Sequence, residues 1–120
     1  MKIKNLDNLF LRTEDLEKSK TFYSNVLGLE IKFYFSNNGL LAFKIGEQEP
    51  AIILKDLNMY PNTKPTIWFE VDSVNKVYSE LKEKGVEFLY EPFKIKTGWA
   101  VEFLDPSGNK LGFTDYNNEL

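Results

Sequence analysis

The sequence predicts an α+β fold in which two similar modules, each reading strand–helix–strand–strand–strand, share a single domain. The first observation is an internal repeat, because the pattern of the first half restarts about 58 residues later, with Asn8 aligned to Thr66. The second is that each half has one helical stretch closed by a glycine, Gly28 or Gly85. The third is a length of 120 residues, enough for a core without disulfides. Two such modules predict a curved, cleft-enclosing mixed sheet with the helices outside.

The first module covers about residues 5–55, with its opening strand at 7–13. Asp15 is placed to cap a helix that closes at Gly28, since its carboxylate can accept from the first free backbone N–H groups. The apolar stripe predicted for this helix is Leu16, Phe22, Tyr23, Val26 and Leu27. Three strands follow at 30–36, 40–45 and 50–55, the first two joined by an Asn-Asn-Gly turn.

A polar segment, 56–64, is predicted to link the modules, because Pro61 and Asn62 disfavour regular structure. The second module then covers residues 65–116 and repeats the order of the first. A strand at 66–71 leads to Asp72 and Ser73, which open a helix ending at Gly85. The remaining predicted strands are 86–90, 99–104 and 110–115.

The composition excludes several kinds of chemistry. Hydrophobic residues are 42% and charged residues 28%, the balance of a folded globular domain. Cysteine and histidine are both absent, which excludes disulfides, thiolate catalysis and any Ser–His or Cys–His nucleophile. The loss of imidazole also removes the commonest metal ligand and the usual acid–base group near neutral pH. Aromatic residues are abundant instead, at 15% of the chain.

The charge balance disfavours nucleic acid as a partner, because a net charge of −3 lacks the basic surface that phosphate binding requires. No apolar run approaches the roughly 20 residues of a membrane helix. The opening residues, 1–5, lack the apolar core of a signal peptide. We therefore expect a cytoplasmic protein with neither a nucleic-acid nor a membrane partner.

Three segments occur in a recognisable order and spacing: DNLFLRTEDLEKS at 7–19, IWFEVD at 67–72 and FLDPSGN at 103–109. Together they resemble the vicinal oxygen chelate superfamily, which includes glyoxalase I, extradiol dioxygenases, and fosfomycin and bleomycin resistance proteins. The resemblance covers essentially the whole chain. It implies two βαβββ modules around a cleft and a homodimer, often with modules exchanged between subunits.

The resemblance also implies a divalent metal, held by His, Glu or Gln on the first and last strands of each module. Carried over to this sequence, the first-strand positions are Asn8 and Thr66. The last-strand positions are Gly112 and a residue between Ile53 and Lys55. These side chains lack the imidazole, thiolate or carboxylate groups that divalent cations prefer. The sequence therefore predicts no bound metal and no cofactor.

Strand alternation predicts which side chains line the cleft, because every second residue of a strand faces the same side. Leu111 and Phe113 are predicted to face the core instead. The predicted lining is Asn8, Phe10, Arg12, Thr66, Trp68, Glu70, Lys110 and Gly112, with Phe43 and Trp99 as additional walls. The aromatic rings would stack on a planar ligand, or would fill the cleft themselves.

Arg12 and Glu70 occupy equivalent places in the two modules, so one interpretation pairs them in a structural bridge. The alternative is that Arg12 binds a ligand carboxylate or phosphate through paired hydrogen bonds. Glu70 is also the one acid that alternation places inside, which makes it a candidate for a general base.

The function predicted from these features is metal-independent binding of a small planar or cationic molecule, resembling the bleomycin resistance proteins. The missing ligands, the ring-rich lining and the acidic balance support it. The alternative is a glyoxalase-like, isomerase-like or dioxygenase-like enzyme of the same superfamily that uses a divalent metal. A third possibility is a self-filled cleft in a domain that serves only as a dimeric or partner-binding module.

Overall fold

The computed structural model describes residues 1–47 and 49–118 and confirms the α+β class. The strands are β1 (Asn5–Thr13), β2 (Ile31–Phe35), β3 (Leu40–Lys44), β4 (Ala51–Asp56), β5 (Thr66–Glu70), β6 (Glu87–Phe88), β7 (Phe93–Ile95), β8 (Gly98–Leu104) and β9 (Lys110–Thr114), and the helices are α1 (Leu16–Thr21) and α2 (Val74–Glu83). Within the described ranges, neither helix has the length and apolar character that crossing a bilayer would require.

The chain divides into two compact units, which we call module 1 and module 2. Residues 8–65 form module 1, and residues 1–7 join the chain from 66 onward in module 2. The segment 57–64 lies within module 1, where the N–H of Leu57 donates to the carbonyl of Thr13 at 2.9 Å.

Module 1 is a four-stranded mixed sheet in the order β2–β3–β4–β1. Neighbours β2, β3 and β4 are antiparallel, whereas β4 runs parallel to β1. The parallel register sets Phe10 beside Ile53 and Arg12 beside Lys55. Its core consists of Leu41, Phe43 and Leu54, with Leu11, Leu16, Tyr23, Leu29, Ile31, Tyr34 and Ile52 packed around them.

Helix α1 begins as predicted, since the Asp15 carboxylate accepts the N–H of Lys18 at 3.0 Å. The predicted helix changes character at Phe22, where a π-helical turn runs to Val26 and the N–H of Leu27 donates to the carbonyl of Phe22. This wider turn rotates the following side chains out of the predicted stripe. Val26 and Leu27, and also Phe22 at the start of the turn, are exposed, so that part of the stripe prediction was wrong.

Module 2 is a mixed sheet in the order β5–β9–β8–β6, with β7 paired to β8. Strand β9 lies parallel to β5 and antiparallel to β8. The predicted strand at 86–90 is reduced to the two residues of β6, and β7 was not predicted. The register places Trp68, Gly112 and Glu102 side by side on three neighbouring strands.

One face of the module 2 sheet packs against α2 through an apolar core. The buried members are Val71, Val74, Val77, Val101, Phe103 and Phe113. The rings of Phe103 and Phe113 stack with centroids 4.7 Å apart, and Leu111 packs against the same cluster. The predicted core-facing phase of Leu111 and Phe113 is confirmed, which leaves Trp68, Glu102 and Lys110 on the opposite face.

The start of α2 is fixed by a carboxylate that follows the last strand. Asp115 is only 1% exposed and accepts the N–H of Val74 at 2.8 Å, of Trp99 at 2.9 Å and of Asn117 at 3.1 Å. Three backbone donors thereby satisfy one buried charge. Asp115 therefore joins α2, β8 and the chain beyond β9.

Candidate functional site

Module 2 carries a polar and aromatic group on the sheet face opposite α2. We call this group the indole–carboxylate site; its members are Trp68 on β5, Glu102 on β8, and Lys110 and Gly112 on β9. Three of these residues are register neighbours, so the sheet itself fixes their spacing. Tyr90, from the segment between β6 and β7, joins them through its hydroxyl.

Glu102 is the centre of the indole–carboxylate site. Its side chain is 12% exposed, and its Oε2 accepts the indole N–H of Trp68 at 2.9 Å. Its Oε1 accepts the hydroxyl of Tyr90 and lies 3.4 Å from the Lys110 ammonium. Two neutral donors and one cation therefore hold a largely buried negative charge.

Tyr90 acts as a donor over a wide pH range. Its burial raises the pKa of the phenol far above the ordinary value of 10.0, and the hydrogen bond to Glu102 raises it further. The hydroxyl therefore stays protonated and able to donate at neutral and moderately alkaline pH.

Gly112 is required by the approach of the Trp68 ring. A Cβ built on Gly112 would overlap Cδ1 and Nε1 of the indole and would also lie 3.1 Å from the carbonyl of Val101. The indole thus occupies the space that a side chain at this position would need. Only glycine allows the ring to lie across β9 and reach Glu102.

Glu70 lies on the same strand as Trp68 but is bound by the first residues of the chain. Its carboxylate accepts the side-chain N–H of Asn5 at 3.0 Å and pairs with Lys4 at 3.6 Å. Lys4 also contacts Asp72 at 3.2 Å, and the hydrogen bond to Asp72 raises the pKa of Lys4. Glu70 is held in this ionic group, so its pairing with Arg12 and its role as a base stay predictions.

Module 1 has an aromatic ring, Phe10, on β1 and a lysine, Lys55, on β4, the strands equivalent to β5 and β9 of module 2. The Lys55 ammonium lies 4.6 Å from the ring centroid of Tyr60 and 5.8 Å from that of Phe10, within the range of cation–π attraction. Arg12 is exposed and is the register partner of Lys55 on the neighbouring strand. Two cationic residues therefore stand side by side on this face of module 1.

Two predicted walls lie elsewhere. Phe43 is fully buried and stacks on Tyr23 of the π-helical turn, with centroids 5.1 Å apart, so its prediction as a wall was wrong. Phe43 lies on the same face of β3 as Leu41, and both belong to the core cluster that Leu16 and Tyr23 pack against. Trp99 packs against the core cluster of module 2, on the α2 side, so its prediction as a cleft wall was also wrong.

Sequence reasoning did not identify Glu102 or Tyr90. Glu102 could have been found by extending the alternation of the last strand to 99–104, which places it opposite Gly112. No periodic signal identifies Tyr90, because it lies outside the strands and reaches Glu102 through the path of the 89–92 segment.

The residues at the family's metal positions do not fit a divalent cation in either module. In module 2, Thr66 is 4% exposed and offers only a neutral hydroxyl, and Gly112 offers no side chain. In module 2 the parallel register of β5 and β9 pairs Trp68 with Gly112. The equivalent register of β1 and β4 in module 1 pairs Phe10 with Ile53, so the last-strand position falls on aliphatic Ile53. Asn8 then supplies the one polar side chain of that pair, a neutral amide. Among the described residues, no group of three or more Asp or Glu side chains could hold a metal.

Comparison with known proteins gives one family over most of the chain. A model of the Glyoxalase/Bleomycin resistance protein/Dioxygenase superfamily matches residues 5–113. The mitochondrial methylmalonyl-CoA epimerase of Bos taurus is 31% identical, with 85% of this chain and 67% of that protein covered. A lactoylglutathione lyase of Neisseria meningitidis is 33% identical, with coverages of 86% and 84%.

Solved structures agree on the fold. A Streptomyces coelicolor methylmalonyl-CoA epimerase variant, in complex with 2-nitronate-propionyl-CoA, superposes with a TM-score of 0.74 at 18% identity. The match covers 97% of this chain and 99% of that chain. A superfamily member from Vibrio splendidus gives a TM-score of 0.67 at 16% identity, with coverages of 95% and 98%.

Proposed function

Because this chain belongs to the Glyoxalase/Bleomycin resistance protein/Dioxygenase superfamily, we propose that it binds a small planar or cationic organic molecule without the family's divalent metal. Each module offers its own candidate residues: Phe10 and Arg12 in module 1, and Trp68 and Glu102, beside Lys110, in module 2. The protein would act by mass action, as a binder that lowers the free concentration of its ligand.

The observation that carries the proposal is the contact between Trp68 and Gly112. At a position where the family places a metal ligand, this chain has a glycine whose side-chain space is filled by an indole. Restoring a carboxylate there would require the ring to move. The exchange removes a metal ligand and supplies an aromatic surface, which is the surface that planar molecules stack on.

Each module adds a charged group next to its ring. In module 1 the cations are Arg12 and Lys55, and in module 2 the carboxylate of Glu102 lies beside Trp68. A few polar groups around rings give a ligand its orientation in small-molecule sites. We expect the protein to act as a homodimer, as the family resemblance implies.

Native mass spectrometry of protein purified without chelator tests the proposal. The expected spectrum shows a dimer with no stoichiometric metal, with or without a bound organic molecule. One equivalent of divalent metal for each chain would contradict it.

Ligand binding is tested separately, by fluorescence titration with a panel of planar cationic, neutral and anionic dyes. The expected result is saturable binding that weakens when Trp68 is changed to Ala. The Trp99→Phe variant is the matched control, because Trp99 packs on the core side of the same module. A panel without a single saturable binder would count against the proposal.

A metal-dependent enzyme is the second candidate, supported by relatives at 31% and 33% identity that are named as an epimerase and a lyase. It requires ligands other than the side chains at the expected positions. A metal that binds the folded chain stabilises it by an amount that grows with the logarithm of the metal concentration above its Kd. A rise in melting temperature when Zn²⁺, Ni²⁺, Co²⁺ or Mn²⁺ is added, compared with the same buffer without added metal, would favour the enzyme over the binder.

A further inference from the structure

We propose that the indole–carboxylate site of module 2 recognises an organic ammonium or amidinium ion, and that Lys110 is an internal occupant which this ligand displaces. The inference rests on the proposed function, because it names the charge class of the ligand and the residues that select it. It gives Glu102 the role of the recognising carboxylate and Trp68 that of the aromatic surface.

The negative charge of Glu102 is incompletely matched. Trp68 and Tyr90 donate hydrogen bonds to it but bring no positive charge. The ammonium of Lys110 lies 3.4 Å from Oε1, beyond the roughly 2.7–2.9 Å of a well-formed charge-assisted hydrogen bond. Lys110 therefore neutralises the carboxylate through a loose contact that a better-placed cation can replace.

Lys110 can leave at low cost. It is the first residue of β9, and its side chain is already 27% exposed. Its four-carbon stem can carry the ammonium into water, where that group is strongly hydrated. Glu102, at 12% exposure, cannot follow it, so the site then requires another cation to avoid a buried unpaired charge.

Trp68 supplies the second half of the recognition. Its N–H is bonded to Glu102, which holds the ring edge against the carboxylate. A planar cation that donates to Glu102 from one side of the ring plane would lie over the indole face, the surface of the aromatic side chain that attracts cations most strongly. The protein uses the same attraction internally in module 1, where the Lys55 ammonium lies 4.6 Å from the Tyr60 ring.

The same geometry selects against anions. An anionic group brought to Lys110 would meet the Glu102 carboxylate 3.4 Å from the ammonium. The anion and the Glu102 carboxylate would then share one ammonium and repel each other, and burial weakens the screening of that repulsion by water. The indole–carboxylate site thus distinguishes ligands by the sign of their charge.

Proflavine, a planar fluorescent cation with N–H donors, is a suitable probe, and anilinonaphthalene sulfonate is its anionic counterpart. Titration of the full chain should show that Glu102→Gln weakens proflavine binding about tenfold or more, since hydrogen bonds to charged groups contribute about 1.5–3 kcal/mol. Lys110→Met should strengthen it several-fold, because the internal competitor is gone. Lys94→Met is the matched control, since Lys94 lies near Trp99 rather than at the site.

The increase in affinity for Lys110→Met separates this inference from a merely structural ion pair. Unchanged or weaker proflavine binding in that variant would overturn the role of Lys110 as occupant. Unchanged binding in Glu102→Gln would overturn recognition by the carboxylate. If Glu102→Gln does not fold, Lys110→Gln and Trp68→Phe repeat the test, with tighter and weaker binding expected respectively.

The anionic dye distinguishes this inference from the broader proposal. Tight binding of anilinonaphthalene sulfonate that Trp68→Ala removes, with none of proflavine, would overturn the charge class and leave the proposed function standing. Failure of both dyes and of the wider panel would overturn both.

Discussion

The two modules each hold a lysine ammonium against the aromatic face of their sheet, but they hold it with different partners. In module 1 the Lys55 ammonium lies against the rings of Tyr60 and Phe10, next to Arg12 on the neighbouring strand. In module 2 the Lys110 ammonium lies against Glu102, which is also bonded to Trp68. The comparison teaches that the same strand register can support a basic face or a face with a buried carboxylate. An external cation is therefore expected to bind in module 2.

The helices of the two modules also begin differently. The start of α1 is capped by Asp15, the residue immediately before it. The start of α2 has a local cap, Ser73, but its first N–H is bonded by Asp115, 41 residues further along the chain. Module 2 thus depends on a buried long-range carboxylate where module 1 depends on an exposed local one.

The largest expected effect is the loss of that long-range carboxylate. Asp115→Ala would leave the N–H groups of Val74, Trp99 and Asn117 without their acceptor. At about 1–3 kcal/mol for each buried unsatisfied donor, we expect a loss of about 3 kcal/mol or more in the free energy of unfolding. Urea denaturation followed by circular dichroism measures it. A loss below about 1 kcal/mol would show that water replaces the carboxylate.

A smaller effect is expected where the two modules differ in the residue beside the ring. Gly112→Ala forces a Cβ into the Trp68 indole and should cost about 1–3 kcal/mol, the usual range for overpacking. Ile53→Val is the matched change in module 1 and should cost about 0.5–1.5 kcal/mol through lost contacts. Adding Trp68→Ala to Gly112→Ala should recover part of the loss. An additive double variant would show that the indole is not what requires glycine.

The local cap of α1 should contribute less than Asp115 does. Asp15→Ala removes the acceptor for the Lys18 N–H at an exposed helix start, for an expected loss of about 1 kcal/mol. Asp15→Asn keeps an acceptor oxygen and should cost less. The same urea experiment compares the variants with Asp115→Ala. Equal losses at the two helix starts would remove the distinction between the modules.

The smallest expected effect is confined to alkaline pH. The pKa of Tyr90 is raised above 10.0 in the folded protein, first by burial and then by Glu102, so the unfolded chain loses this proton first as pH rises. The stabilisation is complete below about pH 10 and is lost progressively above it. Stability of the wild type should therefore fall more steeply above pH 10 than that of Tyr90→Phe. Parallel curves would show that Tyr90 titrates normally.

The sequence predicted the architecture well because the fold is encoded locally. Repetition of one pattern, a cap at Asp15 and glycines that end the helices identified the two modules and their order. Alternation placed Leu111 and Phe113 in the core correctly. It failed for Phe43, because a strand with apolar residues on both faces has no phase that periodicity can read.

The candidate site was predicted only in part, for reasons of distance along the chain. Trp68, Lys110 and Gly112 were identified from the alternation of β5 and β9. Glu102 lies on β8, and the alternation was not applied to that strand. Its contact with Trp68 joins residues 34 positions apart, and no local pattern reports such a contact. The fit between the indole and Gly112 is likewise a tertiary contact, which a glycine in a sequence does not reveal.

The position of Asp115 has a consequence for the order in which the protein matures. During synthesis the chain emerges from its N-terminus, so α1 and its cap Asp15 are available together. Helix α2 emerges well before Asp115, which must still be translated and released before it can bind the N–H of Val74. A ribosome stalled short of Asp115 would carry a module 2 whose helix start is unanchored and whose core is exposed to proteases. Limited proteolysis of stalled nascent chains of increasing length should therefore show protection of α2 arising abruptly, after α1 is already protected.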